Sequence, residues 1–282
     1  AIHNGFEALQ REKEAKQIQK NRDFYAENFA ANRTAIQRLT HKIQNSALMY
    51  LQPMDIPSRA GKLESARAWR AEKLNDGRIF TRTEQNNAGN LSVDILLDAS
   101  TSQKNRQEII SSQAYIIAAS LTNCAIPCRV MSFCSMTGFT IARIFRDYYE
   151  TGHNDRVFEY VSNGCNRDGF ALRIARELMA RQSFDNKILI ILSDAKPNDV
   201  VKLGEQGQEK VPYEGQAGIT DTAQEVRRAI AEGISVICVF TGEDEDIPAA
   251  KLIYDRDFAR IQSVSMLADT VGKLLQNKLR NL

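Results

Sequence analysis

From Leu91 onward, short runs of strand-forming apolar residues alternate with longer stretches whose apolar residues recur at helical spacing. The run from Ile188 to Leu192 is apolar throughout, which is typical of a central parallel strand covered on both faces. The alternation predicts an α/β, doubly wound, Rossmann-like fold with a mostly parallel central sheet and helices on both faces. We expect strands over 91–97, 129–133, 140–145, 187–192, 234–240 and 259–263, helices over 105–123, 168–182, 219–232 and 265–280, and a long loop over 195–217.

Residues 1–73 are predicted to form a helical, basic N-terminal extension to a domain that covers 74–282. Apolar residues recur at helical intervals up to about Gln52, and Pro53 and Pro57 then end the pattern. The heptads are too irregular for a free coiled coil, so we expect an amphipathic helical hairpin that packs on the main domain. Residues 1–90 hold 15 Lys and Arg against 10 Asp and Glu, a balance that suits an acidic surface but does not argue for nucleic acid.

The sequence disfavours both a membrane span and a disulfide scaffold. No apolar run reaches the roughly 18–20 residues that a bilayer-spanning helix needs. The first residues, Ala-Ile-His-Asn-Gly, contain neither an initiator Met nor a signal-peptide pattern, so we expect the C-terminal part of a longer polypeptide. All 5 cysteines lie in or beside apolar segments, which favours reduced, buried thiols in a cytoplasmic protein.

Oxygen-bearing side chains follow the ends of two of the expected strands. Asp98 ends the first strand and is followed at two-residue steps by Ser100 and Ser102, while Asp194 follows the most hydrophobic strand. The carboxyl ends of parallel strands meet at one edge of the sheet, where open α/β folds bind ligands. Carboxylate and hydroxyl oxygens suit hard cations such as Mg²⁺, Mn²⁺ or Ca²⁺. The sequence therefore predicts a magnesium-type site that is held by few charges.

This pattern resembles the metal-ion-dependent adhesion site (MIDAS) of the von Willebrand factor A (VWA) domain family. That site uses an Asp-x-Ser-x-Ser motif, a Thr in a second loop and an Asp in a third loop. Residues 98–102 match the first motif, and Asp194 matches the third. Asn166 stands at the Thr position, which is a departure, although an amide oxygen can also bind magnesium. Asp168 either adds a carboxylate ligand or occupies the start of the following helix, where a carboxylate is favoured, and both interpretations stay open.

The resemblance is most specific to one branch of the family, which includes the cobaltochelatase T subunit and the nitric oxide reductase activation protein. It covers roughly residues 74–282, and residues 76–82 resemble the lead-in strand of that branch. The resemblance implies a non-enzymatic, Mg²⁺-dependent protein-interaction domain that works with a MoxR-type AAA+ ATPase. Such complexes activate a client metalloenzyme or insert metal into it, and the partner presents an Asp or Glu carboxylate to the metal. The matching segments are Asn-x-Asp-Gly-x-Ala-Leu at 166–172, Ser-Asp-Ala-Lys-Pro-Asn-Asp at 193–199, Tyr-Glu-Gly at 213–215, Gly-Ile-x-Asp-Thr at 218–222, Val226 and Gly-Ile at 233–234.

Other motifs in the chain have simpler interpretations. Cys124, Cys128 and Cys134 lack a nearby fourth ligand for a soft metal, so we interpret them as core thiols. Ser102 can also cap the helix that follows it. The acidic run 243–246 lacks the spacing of a calcium-binding loop and is interpreted as an acidic turn.

Two other functional classes fit parts of the pattern. A phosphoryl-transfer enzyme or hydrolase would use Asp98 as its nucleophile, but that class needs a second Asp where Ser100 stands, and no general base is evident. An extracellular adhesion module would use the same metal site, although the unpaired cysteines and the missing signal pattern argue against it. The sequence contains no Walker A motif and no Gly-x-Gly-x-x-Gly. We therefore expect no enzymatic activity and a protein partner rather than nucleic acid or a membrane.

Overall fold

The computed structural model describes residues 2–51, 54–84, 90–204, 210–261 and 263–279. None of the described helices combines the length and the apolar character needed to cross a membrane. The strands are β1 Met54–Ser58, β2 Lys62–Leu63, β3 Phe80–Glu84, β4 Leu91–Asp98, β5 Cys128–Met136, β6 Phe139–Arg146, β7 Asn186–Ser193, β8 Asp199–Leu203, β9 Val211–Tyr213, β10 Ile234–Phe240 and β11 Phe258–Arg260. The α-helices are α1 Ile2–Glu27, α2 Phe29–Leu51, α3 Trp69–Leu74, α4 Gln107–Asn123, α5 Asp168–Ala180, α6 Gly215–Ala231, α7 Ile247–Tyr254 and α8 Val264–Leu279.

A six-stranded sheet organises the chain from β4 onward, with strand order β11-β10-β7-β4-β5-β6. Its strands pair in parallel, except that β6 runs antiparallel to β5 at the edge. The predicted α/β fold with a mostly parallel sheet is therefore confirmed. The two parallel strands that follow β4 in the sequence, β5 and β7, lie on opposite sides of it in the sheet. This arrangement places the carboxyl ends of β4 and β7 at the point where open α/β sheets bind ligands.

Apolar side chains cover both faces of this sheet, as the uninterrupted apolar strands predict. Ile95 and Leu97 belong to one core, which α2, α4 and α8 complete with residues such as Ile117 and Val271. Leu96 points to the opposite face and packs in a second core with residues of α5, α6 and α7. Because side chains alternate along a strand, β4 is held from both sides. Its last residue is thereby fixed in position.

The N-terminal helices pack on this domain as predicted. Leu39 and Ile43 of α2 are fully buried, and they lie in the same core as Leu267, Val271 and Leu275 of α8. The predicted helical hairpin is wrong, however. Backbone hydrogen bonds from residue 28 to residue 24 and from residue 32 to residue 28 continue the helical pattern across the junction, so α1 and α2 do not fold back on one another.

Two further expectations about local structure can be compared with the structure. The end of the segment 76–82, which resembles a lead-in strand, belongs to β3, and β3 pairs antiparallel with β1 and β2 in a three-stranded sheet separate from the central one. The loop expected over 195–217 contains a short antiparallel pair, in which Asp199 faces Tyr213 and Leu203 faces Val211. Both small sheets form between segments that are close in sequence, where apolar alternation is too short to indicate strands.

All five cysteines are free thiols. Cys128 and Cys238 are buried, while Cys124, Cys134 and Cys165 are partly buried. Burial raises the pKa of Cys124 to about 11 and that of Cys128 to about 12, so both stay protonated and unreactive near neutral pH. The interpretation of Cys128 as a core thiol is confirmed, and Cys124 and Cys134 pack at the margin of the same core.

The packing of α2 predicts that part of the N-terminal extension stabilises the whole domain. Leu39 is 0% exposed, so Leu39→Ala should lower the free energy of unfolding by about 2–5 kcal/mol, through lost apolar contact and the cavity left behind. The matched variant Leu9→Ala removes a leucine of α1 that is 50% exposed and should change stability by less than about 0.5 kcal/mol. Urea denaturation of both variants checks this. Equal stabilities would contradict the shared core and would favour an extension that folds independently of residues 74–282.

Candidate metal centre

The carboxylate of Asp98 lies at the carboxyl end of the central strand and is completely buried. Its Oδ1 accepts a hydrogen bond of 2.9 Å from the backbone N–H of Ser100, a turn typical of Asp. The turn brings the Ser100 and Ser102 hydroxyl oxygens to 2.9 Å from each other. On the opposite side, the Tyr160 hydroxyl donates to the Asp98 carbonyl oxygen over 2.5 Å. The Asp-x-Ser-x-Ser segment is therefore a compact turn, and its three oxygen-bearing side chains lie together.

Asn166 links this turn to a second loop. Its amide nitrogen lies 3.5 Å from Asp98 Oδ2 and 3.1 Å from Asp168 Oδ2, so the amide bridges two carboxylates. Its amide oxygen accepts a hydrogen bond of 3.1 Å from the backbone N–H of Asn198. In this orientation Asn166 holds carboxylates in place. A ligand role, which the sequence predicts, requires the amide to turn its oxygen toward the cation.

Asp168 is the first residue of α5 and is 3% exposed. The preceding residue, Arg167, occupies the N-cap position, so Asp168 is a first-turn residue rather than the cap itself. A carboxylate is favoured in a first turn by the helix dipole. Its side chain nevertheless contacts Asn166 and feels the charges of Asp98 and Asp194. Asp168 therefore lies in the first turn of α5 and also belongs to the acidic cluster. Metal ligation by Asp168 stays a prediction.

Asp194 approaches the cluster from the end of β7. Its Oδ1 accepts a hydrogen bond of 3.1 Å from the backbone N–H of Lys196, and the Ser102 hydroxyl lies close enough to favour the ionised form of its carboxyl group. Ala195, which follows it, has a φ of +57°, in the left-handed region that favours glycine. All six predicted site residues thus form one connected cluster at the carboxyl edge of the sheet.

Sequence reasoning missed Gln103, which joins the cluster to the segment after β10. Its amide nitrogen donates to Asp98 Oδ2 over 3.3 Å, and its oxygen accepts a hydrogen bond of 3.2 Å from the Thr241 hydroxyl. Gln103 is fully buried, yet in the sequence it is one polar residue within a polar stretch. Only the approach of the segment after β10 reveals its role, so no local signal could have identified it.

The electrostatics of the cluster are dominated by three buried carboxylates. Burial first, and the Asp194 charge second, raise the pKa of Asp98 to about 7. Burial, followed by the charges of Asp98 and Asp194, raises the pKa of Asp168 well above its usual value. Burial also raises the pKa of Asp194, although the Ser102 hydroxyl and the Lys196 backbone N–H oppose the shift. The ionised forms of these groups therefore repel one another, and a positive charge among them would relieve the repulsion.

The donor atoms fit a hard cation. Among the described residues, no Lys or Arg forms an ion pair with Asp98, Asp168 or Asp194. Carboxylate and hydroxyl oxygens are the ligands that Mg²⁺, Mn²⁺ and Ca²⁺ prefer. Within the described ranges, no three His, Cys, Asp or Glu side chains are grouped as a metal site by themselves. A cation in this cluster would therefore depend on the serine hydroxyls and on water or a partner for part of its shell.

Comparison with known proteins gives distant sequence relatives. No family model matches the chain. The chain is 30% identical to an uncharacterized protein of Pseudomonas aeruginosa over 50% of its own length and 21% of that protein. It is 24% identical to Protein NorD of Brucella suis over 64% of its own length and 28% of that protein. The chain therefore spans less than a third of the length of these curated relatives.

The fold itself is similar to that of a solved VWA domain. The vWF domain of the type V pili tip protein Mfa5 from Porphyromonas gingivalis matches with a TM-score of 0.51 at 11% identity. The match covers 67% of this chain and 96% of that chain. At this identity the likeness concerns the fold alone, so the VWA-type fold is established and the metal site stays a prediction.

The repulsion among the carboxylates predicts a specific pH dependence of the metal-free protein. Their pKa values are raised on folding, so the folded state holds protons that the unfolded chain releases, and stability should fall as pH rises from about 4 to about 7. Asp194→Asn keeps the shape and removes one charge. In EDTA it should raise the free energy of unfolding by about 1–2 kcal/mol near pH 8 and change it little near pH 5.

Urea denaturation at both pH values checks this prediction. Glu245→Gln serves as the control, because its side chain is 78% exposed and its removal should have a small effect at either pH. A loss of stability in Asp194→Asn near pH 8 would show that the carboxylates do not repel one another in the folded protein.

Proposed function

We propose that this chain is a non-enzymatic, metal-dependent protein-interaction domain of the MIDAS type. In the proposal, one Mg²⁺, or Mn²⁺ or Ca²⁺ in its place, is held by Asp98, Ser100, Ser102 and Asp194. Asp168 and Asn166 contribute a further carboxylate and an amide at the edge of the shell. The observation that carries the proposal is that Asp98 contacts the serine turn at the carboxyl edge of the sheet and lies close enough to Asp194 for the Asp194 charge to raise its pKa.

Such a site is better suited to binding a carboxylate than to catalysing a reaction. Asp98 and Asp194 supply two negative charges, while hydroxyls supply neutral oxygens, so the bound cation keeps a strong attraction for an outside Asp or Glu. If Asp168 also ligates, the site is more nearly neutral, and its affinity for a partner falls. Ser100 stands where Asp-nucleophile hydrolases need a second carboxylate, which supports the non-enzymatic role.

We further propose that the partner is a MoxR-type AAA+ ATPase and that the pair acts on a client metalloenzyme. The support is the sequence resemblance to the cobaltochelatase and nitric oxide reductase activation branch, together with distant relatives named NorD. Free cysteines at all five positions are compatible with the cytoplasm, where such ATPases work. The chain would supply the carboxylate-binding surface, and the ATPase would supply the acidic side chain and the energy of ATP hydrolysis.

The direct test compares two serine-to-alanine variants of equal size. Ser100→Ala removes a proposed ligand, and Ser92→Ala removes a buried hydroxyl near the start of β4, at the opposite end of that strand from the proposed site. Isothermal titration with Mg²⁺ should show at least about tenfold weaker binding for Ser100→Ala than for wild type, and wild-type binding for Ser92→Ala. Retention of the MoxR-type ATPase on immobilised protein should follow the same order and should be lost in EDTA.

The two measurements separate the parts of the proposal. Equal Mg²⁺ binding by wild type and Ser100→Ala would refute the site. Normal Mg²⁺ binding, combined with ATPase retention that is the same in Mg²⁺ and EDTA, would leave the site intact and refute the metal-bridged partner.

A further inference from the structure

A cavity of about 390 Å³ lies between α1, the start of α4, the segment after β10 and the start of α8. Volumes of this size are typical of sites that bind small molecules. None of the proposed metal ligands lines it. Its walls are mainly apolar and are formed by Phe24, Ile109, Ile110, Phe240, Ile261 and Val264.

Two polar side chains of α4 line this cavity, and each carries a buried oxygen that has no hydrogen-bond partner in the described part of the chain. Ser112 is 1% exposed and Gln113 is 4% exposed. The unpartnered atoms are Ser112 Oγ and Gln113 Oε1. Buried polar atoms are almost always hydrogen-bonded in folded proteins, so each exception calls for an explanation. An amide oxygen can only accept, and Gln113 therefore suits a ligand that brings an N–H or O–H group.

The charged residues at the mouth of the cavity neutralise one another. Arg106 pairs with Glu243 and also donates to the carbonyl oxygen of Thr241. Arg260 pairs with Glu243 over 3.5 Å and with Asp244. Two guanidinium groups thus face two carboxylates, and no charge is left over to attract an ion. The mouth therefore favours an uncharged ligand.

We propose that this cavity binds a small uncharged molecule with a compact apolar or aromatic body and one hydrogen-bond donor. The body packs against Phe24, Ile110 and Phe240, and the donor reaches Gln113 Oε1, with the Ser112 hydroxyl beside it. Phe24 belongs to the N-terminal helix α1, so the site requires the extension as well as the sheet domain. This site is separate from the metal cluster and does not depend on the proposed metal function.

The probe is 2-naphthol, which has an aromatic body and one O–H group, and naphthalene is the matched compound without a donor. Fluorescence titration of the full chain should show saturable binding of 2-naphthol, about two- to tenfold tighter than binding of naphthalene because of the added hydrogen bond. Ile109 is 42% exposed at the mouth, so Ile109→Trp should fill the cavity without disturbing the fold and weaken binding at least about tenfold. Leu252→Trp, a control at a 57% exposed position on α7, should bind as wild type does.

A second variant tests the polar part of the site. Gln113→Leu keeps a side chain of similar size without the acceptor, so the preference for 2-naphthol over naphthalene should fall to about one while naphthalene binding persists. Circular dichroism confirms that each variant is folded. Three results would overturn the proposal: no binding of 2-naphthol up to its solubility, unchanged binding in Ile109→Trp, or equal affinity of wild type for the two compounds.

Discussion

The buried carboxylate of Asp98 is the constraint around which the candidate site is arranged. A carboxylate in the interior of a protein is unfavourable unless hydrogen bonds and opposite charge compensate for the lost water. The Ser100 backbone N–H and the side chains of Gln103 and Asn166 supply the hydrogen bonds. None of these groups supplies a positive charge, and Asp194 adds a negative one. A proton or a divalent cation would offset this uncompensated negative charge.

The topology of the sheet makes this arrangement possible, and the N-terminal helices support it. β4 lies between β5 and β7, so the turn after Asp98 meets the segment after β7 at the same edge. Helix α4 begins shortly after the serine turn, and both helices of the N-terminal extension, α1 and α2, form hydrogen bonds with it. Gln17 of α1 donates to Glu108 over 2.9 Å, and Ser120 donates to the Ile36 carbonyl oxygen of α2 over 3.3 Å. The extension thus contacts the helix that leaves the site.

Sequence reasoning succeeded where burial dictates the pattern. Both faces of the strand that contains Ile190 are covered, and this produces the apolar run that identified the sheet and placed Asp98 and Asp194 at its edge. It failed where the structure depends on the relative direction of two helices or on contacts between residues that are distant in sequence. Helical periodicity does not show whether α1 and α2 fold back on each other, and the contacts of Gln103 with Thr241 and of Asn166 with Asn198 exist only after folding. Residue types alone also could not show that the Asn166 amide nitrogen faces the carboxylates.

Whether Asp98 and the serine turn hold a divalent cation can be tested by locating bound Mn²⁺ in crystals of the full chain. Anomalous scattering locates the metal without reference to activity or partner. We predict one strong manganese peak in contact with oxygens of Asp98, Ser100 or Ser102, with Asp194 in direct or water-mediated contact. A folded protein in millimolar Mn²⁺ with no anomalous peak among these side chains would contradict it.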